Sequence, residues 1–479
     1  MEVAVTGALF LLWVLFIFIF YSLKMYKEKS QLPPGPTPWF FLGNLLQKDV
    51  MPLNKNYSKL VEKYGPMFTI WMGPKPMVVL CGFDVVKDAL VDHAEAFGGR
   101  INSPIIDRVT KGHGSDIEWR ELRRFTVMTL RDFGMGKRSM SERVQEEAVC
   151  LVEALAATKG NLGFDPTTRI TSAVSNVISS VIFGTRFDYA DKTFLKLDVS
   201  SSFQLYSAVP KILDCFPGRH QKIFSDCDEL CAFFRENVKV HMQTLDPQNI
   251  RDYIDCFLIK SEKVCGSKNL TENLVMTVFG LFLAGTGTTS FALISGLMVM
   301  AKLPHIQAKV QQEIDEVMSA TRAPSMEDRV RMPFTNAVIH EILRYPPSIN
   351  ETIPRTTSCD TKFRGFTFPK GTAVAPMFTT VHRDPLQWET PEQFNPGHFL
   401  DEKGQFKKKD ALIAFSAGKR ACVGEALARM ELFLFFSTLL QNFTFQLVGA
   451  AKDMDLASLF TEFRAKNVSP LMKAIRRSM

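Results

Sequence analysis

The chain lacks a concentrated basic arm, a paired cysteine framework, an internal repeat and a complete dinucleotide fingerprint. Net charge is +7, with 57 basic residues spread along 479 positions. That mild excess suits an acidic protein partner or an anionic membrane surface and argues against nucleic acid. The nine cysteines include no CxxC pair, which argues against a disulfide scaffold and for a reducing compartment. Gly285-x-Gly287 starts like a nucleotide-binding loop, but Ser290 stands where a third glycine belongs and no strand precedes it. No nicotinamide or flavin site of the chain's own is visible. Tyrosine is scarce, 8 residues against 40 phenylalanines. Most of those rings must be core, while Phe97, Phe203, Phe279 and Phe282 are candidates for the wall of an apolar pocket.

What is present starts with an apolar run. Val3 to Leu23 carries no charged residue and, as a helix, spans about 32 Å, enough for a hydrocarbon core of about 30 Å. Lys24, Lys27 and Lys29 follow it, which places the rest of the chain on the cytosolic side. A cleaved signal peptide is disfavoured by the missing basic n-region, the overlong run and the lack of a small-x-small cleavage site. Leu32-Pro33-Pro34-Gly35-Pro36 stiffens the backbone and stops any helix. The expected organisation is an anchor over 1–23, a linker and proline-rich hinge over 24–36, and a catalytic domain over 37–479.

Periodicity within that domain is mostly helical. The longest helix is expected from Thr271 to Lys302, ahead of Pro304, and another from Pro333 to Tyr345, closed by Pro346-Pro347. Met67–Met72 and Pro76–Leu80 read as a hairpin around Gly73-Pro74. Lys362–Phe368 and Thr372–Phe378 read as a second, turning at Pro369-Lys370-Gly371. The fold class is mainly α with a small β subdomain.

The densest chemical signal is Phe415-Ser-Ala-Gly-Lys-Arg-Ala-Cys422-Val-Gly424, just before a helical run from Glu425 to Leu440. A thiolate at Cys422 can face a metal while the helix N-terminus stabilises its charge. Gly418 permits a tight turn, Gly424 permits close approach of a flat ligand, and Arg420 can meet an anionic group on it. These features suggest haem with Cys422 as axial ligand. A lone cysteine is usually a small buried hydrophobe, but a pattern fixed at five positions is far more specific. Upstream, Ala284-Gly-Thr-Gly-Thr288-Thr289 interrupts the long helix with two glycines, each costing about 1 kcal/mol relative to alanine. Small residues there serve either close approach of a ligand or helix–helix packing. Glu341 and Arg344 share a helix face at i,i+3, as do Trp119 and Arg123 at i,i+4.

F-x-x-G-x-R-x-C-x-G, E-x-x-R and W-x-x-x-R at these positions resemble the cytochrome P450 superfamily, and the chain is most like its vertebrate microsomal family 2. Ser175-Asn-Val-Ile178, Phe183-Gly-Thr-Arg-Phe187 and the run from Phe394 through Glu431 match further. The resemblance implies a P450 fold behind a single N-terminal transmembrane helix, enclosing haem b ligated by Cys422. It implies O2 as co-substrate and Thr288 as the residue assisting protonation of bound oxygen. Ala284, Phe415, Arg420 and Gly424 are implied haem contacts, and Arg100, Trp119, Arg123 and Arg355 propionate contacts. Glu341, Arg344 and His398 are implied as a structural triad under the haem. Implied partners are NADPH–cytochrome P450 reductase, with cytochrome b5 as a second donor, reached through a basic patch of Arg120, Arg124, Arg131, Lys137, Arg138 and Lys419. Implied substrates are lipophilic xenobiotics, fatty acids or steroids, and the implied location is the endoplasmic reticulum membrane, facing the cytosol. Two departures stand out. Gly287 occupies the family's acid position, and the loop between Gly112-His113-Gly114 and Trp119 is shortened. Gly287 keeps open an isomerase or dehydratase of lipid peroxides, and the short loop a non-catalytic haem-binding membrane protein.

Overall fold

The computed structural model describes residues 31–101, 104–110, 116–132, 138–158, 163–189, 218–264, 270–318, 322–346, 354–466 and 468–477, with scattered positions before residue 31. The described chain is mainly helical with three small sheets. It divides into two units. One comprises 1–101, 351–384 and 416–421, the other 102–350, 385–415 and 422–479.

The first unit is built on a five-stranded sheet. β1 (Met67–Met72) and β2 (Lys75–Leu80) form the expected hairpin, in register from Met67 opposite Leu80 to Met72 opposite Lys75. Phe68 and Ile70, two apart on one face of β1, turn with Val79 into a core with Val50 and Leu60, and β1 is buried on both faces from Met67 to Trp71. β3 (Gly99–Arg100) pairs with β4 (Arg355–Thr356) in the same sheet. The proline-rich segment is strapped to this sheet: Thr69 donates its N–H to the Pro34 carbonyl at 3.1 Å and its hydroxyl to the Pro33 carbonyl at 2.7 Å. A Cβ on Gly35 would fall 1.9 Å from the Thr69 carbonyl oxygen, so only glycine permits this approach.

The second expected hairpin is not the one found. β5 (Thr361–Phe363) pairs with β6 (Phe366–Phe368) through a turn at Arg364 and Gly365, whose φ angles are 47° and 87°. β7 (Ala373–Pro376) instead joins the large sheet, parallel to β2 and antiparallel to β4. Consecutive positive φ values make the tight turn that suits a two-residue hairpin. Arginine at its first position hides the turn from a composition-based reading.

The second unit is a helix assembly. Its described helices include α1 (Asp116–Asp132), α2 (Arg138–Ala156), α3 (Thr167–Ile182), α4 (Leu270–Lys302), α5 (Pro333–Arg344) and α6 (Glu425–Asn442). α4, of 33 residues, packs on α3 and α6. Among the described residues its stretch Thr271–Lys302 is the one helix long and apolar enough to cross a membrane, but half of its most apolar window is buried by the unit itself. Most of the expected anchor over Val3–Leu23 lies outside the described residues. Thr6, Leu9, Leu12, Trp13 and Phe16 are described, all helical and exposed.

α5 carries the buried ion pair. Arg344 donates Nη2 to Glu341 Oε1 at 2.6 Å and Nε to Oε2 at 2.8 Å, with both side chains wholly buried. The guanidinium also donates to the carbonyls of Pro391 and Gln393 at 2.8 and 2.7 Å. The amide of Asn395 donates to Glu341 at 2.8 Å. His398 Nε2 accepts from the Thr390 amide at 3.2 Å, which leaves the ring proton on Nδ1, facing Glu341 at 3.3 Å. Every element of the E-x-x-R and histidine grouping is therefore a backbone anchor for the segment 390–398. Removing one partner of a buried pair strands the other's charge, at about 3–5 kcal/mol. Glu341→Ala should lose that much in denaturant unfolding, and a loss below about 1 kcal/mol would contradict the anchor role.

Candidate functional site

The segment around Cys422 is shaped by three local constraints. The Cys422 amide donates to the Phe415 carbonyl at 2.8 Å, closing the loop they bracket. Within it, Gly418 has φ 68°, and a Cβ there would lie 1.7 Å from the Leu90 carbonyl oxygen. The loop then feeds α6, whose first amides, at Gly424 and Glu425, donate to the Cys422 sulfur. These amides favour the thiolate form, the effect of a helix N-terminus that the cysteine's position implied.

The electrostatics at Cys422 pull in opposite directions. Burial pushes the thiol pKa up, and the Glu425 carboxylate adds to that, while the two amides and the Arg123 guanidinium pull it down. The side chain is nonetheless solvent-exposed. The sulfur is therefore reachable although much of its hydration is lost. Arg123 lies over the Trp119 ring at 5.7 Å, so the W-x-x-x-R pair forms as expected and is electrostatically coupled to the cysteine.

α4 presents an open stripe. Gly280, Ala284, Gly287 and Thr288 are exposed at helical spacing in the middle of an otherwise packed rod. A Cβ added at Gly280 or Gly287 would meet nothing within 4 Å. Gly285, by contrast, sits 3.1 Å in this sense from Ile178 of α3, so it serves helix packing. Both readings of the small residues hold, at different positions. Thr288 donates its hydroxyl to the Ala284 carbonyl at 2.7 Å. Of the candidate pocket rings, Phe97, Phe279 and Phe282 are buried. Phe97 packs on Phe363 and Phe282 on Phe234, so both belong to ring clusters of the core. Phe203 and residues 111–115 lie outside the described residues; of the shortened stretch between Gly114 and Trp119, residues 116–118 belong to the first turn of α1.

In the first unit, Arg100 and Arg355 are register partners across β3 and β4. Like charges directly opposite each other destabilise an antiparallel pair. Arg355 is buried and donates Nη2 to Ser416 Oγ at 2.7 Å. Arg420 donates Nε to the Gly98 carbonyl at 2.8 Å. Two cross-strand guanidiniums fit a ligand with carboxylates. Within the basic patch, Arg120, Arg124 and Arg131 are exposed on α1, and Lys419 pairs with Glu95. Lys137 lies outside the described residues.

Sequence comparison bears on this donor set. The family profile described as Cytochrome P450 matches residues 33–462. The chain belongs to the cytochrome P450 family. It is 47% identical over 454 residues to rabbit (Oryctolagus cuniculus) cytochrome P450 2C16, covering 92% of this chain and 93% of that protein. It is 46% identical over 447 residues to rabbit cytochrome P450 2B4, covering 90% and 91%. Human (Homo sapiens) cytochrome P450 2C8 is 46% identical over 461 residues, covering 93% and 94%. The relatives are family 2 members, so the chain is a haem-thiolate monooxygenase in class. Its cofactor is haem b with a cysteine thiolate on iron, and O2 is co-substrate. Within the second unit the residues fit that group: an exposed, amide-supported sulfur at Cys422 and, on α4, an open stripe of small side chains.

Glu431 was not singled out from the sequence. It is the lone acid in the apolar stretch of α6 from Leu427 to Leu440, which was the available signal. Its carboxyl is fully buried and hydrogen-bonded to Thr289 of α4, and burial pushes its pKa up to about 8. A raised carboxyl pKa means the folded state holds a proton that the unfolded chain has released. Stability therefore falls as pH rises from the unfolded pKa near 4.5 toward 8, by about 3 kcal/mol at pH 7. Glu431→Gln should flatten that decline in unfolding curves taken between pH 5 and 8. An unchanged slope would place the titration elsewhere.

Proposed function

We propose that this protein inserts one oxygen atom of O2 into lipophilic substrates, with electrons from NADPH delivered by NADPH–cytochrome P450 reductase and Cys422 as the ligand to iron. The balanced reaction is R–H + O2 + NADPH + H+ giving R–OH + H2O + NADP+. The observation that carries the reading is the Cys422 sulfur, exposed and supported by two helix amides. Arg123 with Trp119, and Arg100, Arg355 and Arg420, are assigned to the carboxylates of the cofactor. Phe415 and Gly424 flank the sulfur, and Ala284 opens α4 toward the flat ring system.

Haem, when bound, supplies the oxidising chemistry. The chain's own part is to bind, orient and move protons. Thr288 holds a hydroxyl on the open stripe and is the proton donor we assign there. Gly287 beside it offers no carboxyl to resupply that proton, and the space a side chain would fill is open to water. The absence of a fixed acid favours one competing reading, an isomerase or dehydratase of lipid peroxides that needs no external electrons.

The chain is read as a single-pass protein of the endoplasmic reticulum membrane. The exposed helical Leu9, Leu12, Trp13 and Phe16 support an apolar anchor, and exposed Trp39, Phe40, Phe41, Leu42 and Leu46 support a bilayer nearby. Delivery from the bilayer suits xenobiotics, fatty acids or steroids. The exposed arginines of α1 support docking of an acidic reductase, with cytochrome b5 as a second donor.

Two measurements test this. The ferrous–carbon monoxide spectrum should report a thiolate in the parent chain and in the control Cys359→Ala, and lose it in Cys422→Ala. A retained thiolate band in Cys422→Ala removes the assignment. Gly287→Glu should cut hydrogen peroxide released per NADPH consumed by several-fold, with product rising to match. Turnover of a lipid hydroperoxide by the parent chain without reductase, combined with no labelled oxygen from O2 in any product, would instead establish the isomerase reading.

A further inference from the structure

Arg429 lies on α6, two turns past Cys422, and has been given no role above. Its guanidinium makes three contacts at once, all within the second unit. It stacks on the Phe415 ring at 4.8 Å. Its Nε donates to Glu425 Oε1 at 2.9 Å. Its Nη1 donates to His340 Nε2 at 2.9 Å. Only about a fifth of the side chain is exposed.

Each contact bears on the cysteine from a different side. Phe415 carries the carbonyl that accepts from the Cys422 amide, so its ring position fixes one end of the loop. Glu425 is the first residue of α6, and its carboxylate is among the charges acting on the sulfur. His340 immediately precedes Glu341 on α5. Its Nδ1 donates to the Asn336 carbonyl at 2.7 Å, so Nε2 is the acceptor and the ring is neutral. Burial holds the imidazole pKa down at about 3, with Asn336 opposing and Arg429 and Arg329 adding to it. The histidine therefore stays a fixed acceptor across the physiological range. A planar cation with several donors suits such a three-way junction, where lysine offers a single point charge.

We propose that Arg429 is a positioning residue for the sulfur ligand: it pins Phe415 against the start of α6, neutralises the Glu425 carboxylate beside the sulfur, and ties both to α5 through His340. This rests on Cys422 being the ligand. Loss of the cation leaves an unshielded carboxylate close to the sulfur. That disfavours the more negative ferrous state and lowers the reduction potential.

The test uses the full-length haem-loaded protein and chemical reduction, so that reductase docking plays no part. Arg429→Ala should lower the equilibrium constant for ferric-to-ferrous reduction on the order of tenfold, about 59 mV for one electron. Its ferrous–carbon monoxide complex should lose the thiolate band faster than the parent's. Arg429→Lys should restore most of the potential but not the durability of the band, because charge returns without the three-way geometry. Glu425→Gln, an independent arm should Arg429→Ala fail to load haem, should raise the potential. The double variant Arg429→Ala, Glu425→Gln should return toward the parent value. Parental potential and band lifetime in Arg429→Ala, or a potential in Glu425→Gln at or below the parent's, overturns the proposal. A parent chain without a thiolate band would fault the ligand assignment instead.

Discussion

A thiolate in a desolvated position cannot rely on bulk water for its stabilisation. At Cys422 burial wins and leaves the thiol pKa raised, opposed by the first amides of α6, which donate to the sulfur, and by Arg123 on α1. That requirement dictates much of the surrounding architecture. The helix must begin just past the cysteine, so the chain before it must reverse within a few residues. Gly418 makes the reversal with a left-handed φ and a carbonyl packed against its Cα. The Cys422 amide, already spent on the Phe415 carbonyl, locks the loop's two ends together.

The same unit devotes a costly buried charge pair to holding backbone, not substrate. Glu341 and Arg344 satisfy one another and then reach four main-chain groups or side chains between Pro391 and His398. With so many partners, the pair behaves as a rivet for an otherwise irregular segment. Such a segment has no ladder or helix of its own to satisfy its carbonyls, and a guanidinium with several donors substitutes for one.

Legibility from sequence followed the range of the interactions. The long helix α4, the β1–β2 hairpin and the cysteine loop were readable because their signals are local: periodicity, a Gly-Pro turn, and a cluster of fixed residue types. The β5–β6 turn was not, since Arg364 gives no hint of a positive φ. The pairing of β7 with β2 was not, because it joins residues some three hundred positions apart. Roles within one motif also separated only in three dimensions. Gly285 and Gly287 look alike in the sequence, yet one contacts Ile178 and the other faces open space. Glu431 and Arg429 were passed over because a single charge in an apolar helix carries no pattern; its neighbours on other elements give it meaning.

The strap of Pro33 and Pro34 along β1 has a mechanical implication. Pro33 and Pro34 accept hydrogen bonds from Thr69, and Gly35 passes against its carbonyl, so this segment lies along the sheet's edge and cannot swivel. Rotational freedom between any upstream tether and the folded body must therefore reside before Leu32. Whatever precedes Leu32 meets the first unit at the edge of its sheet, along β1.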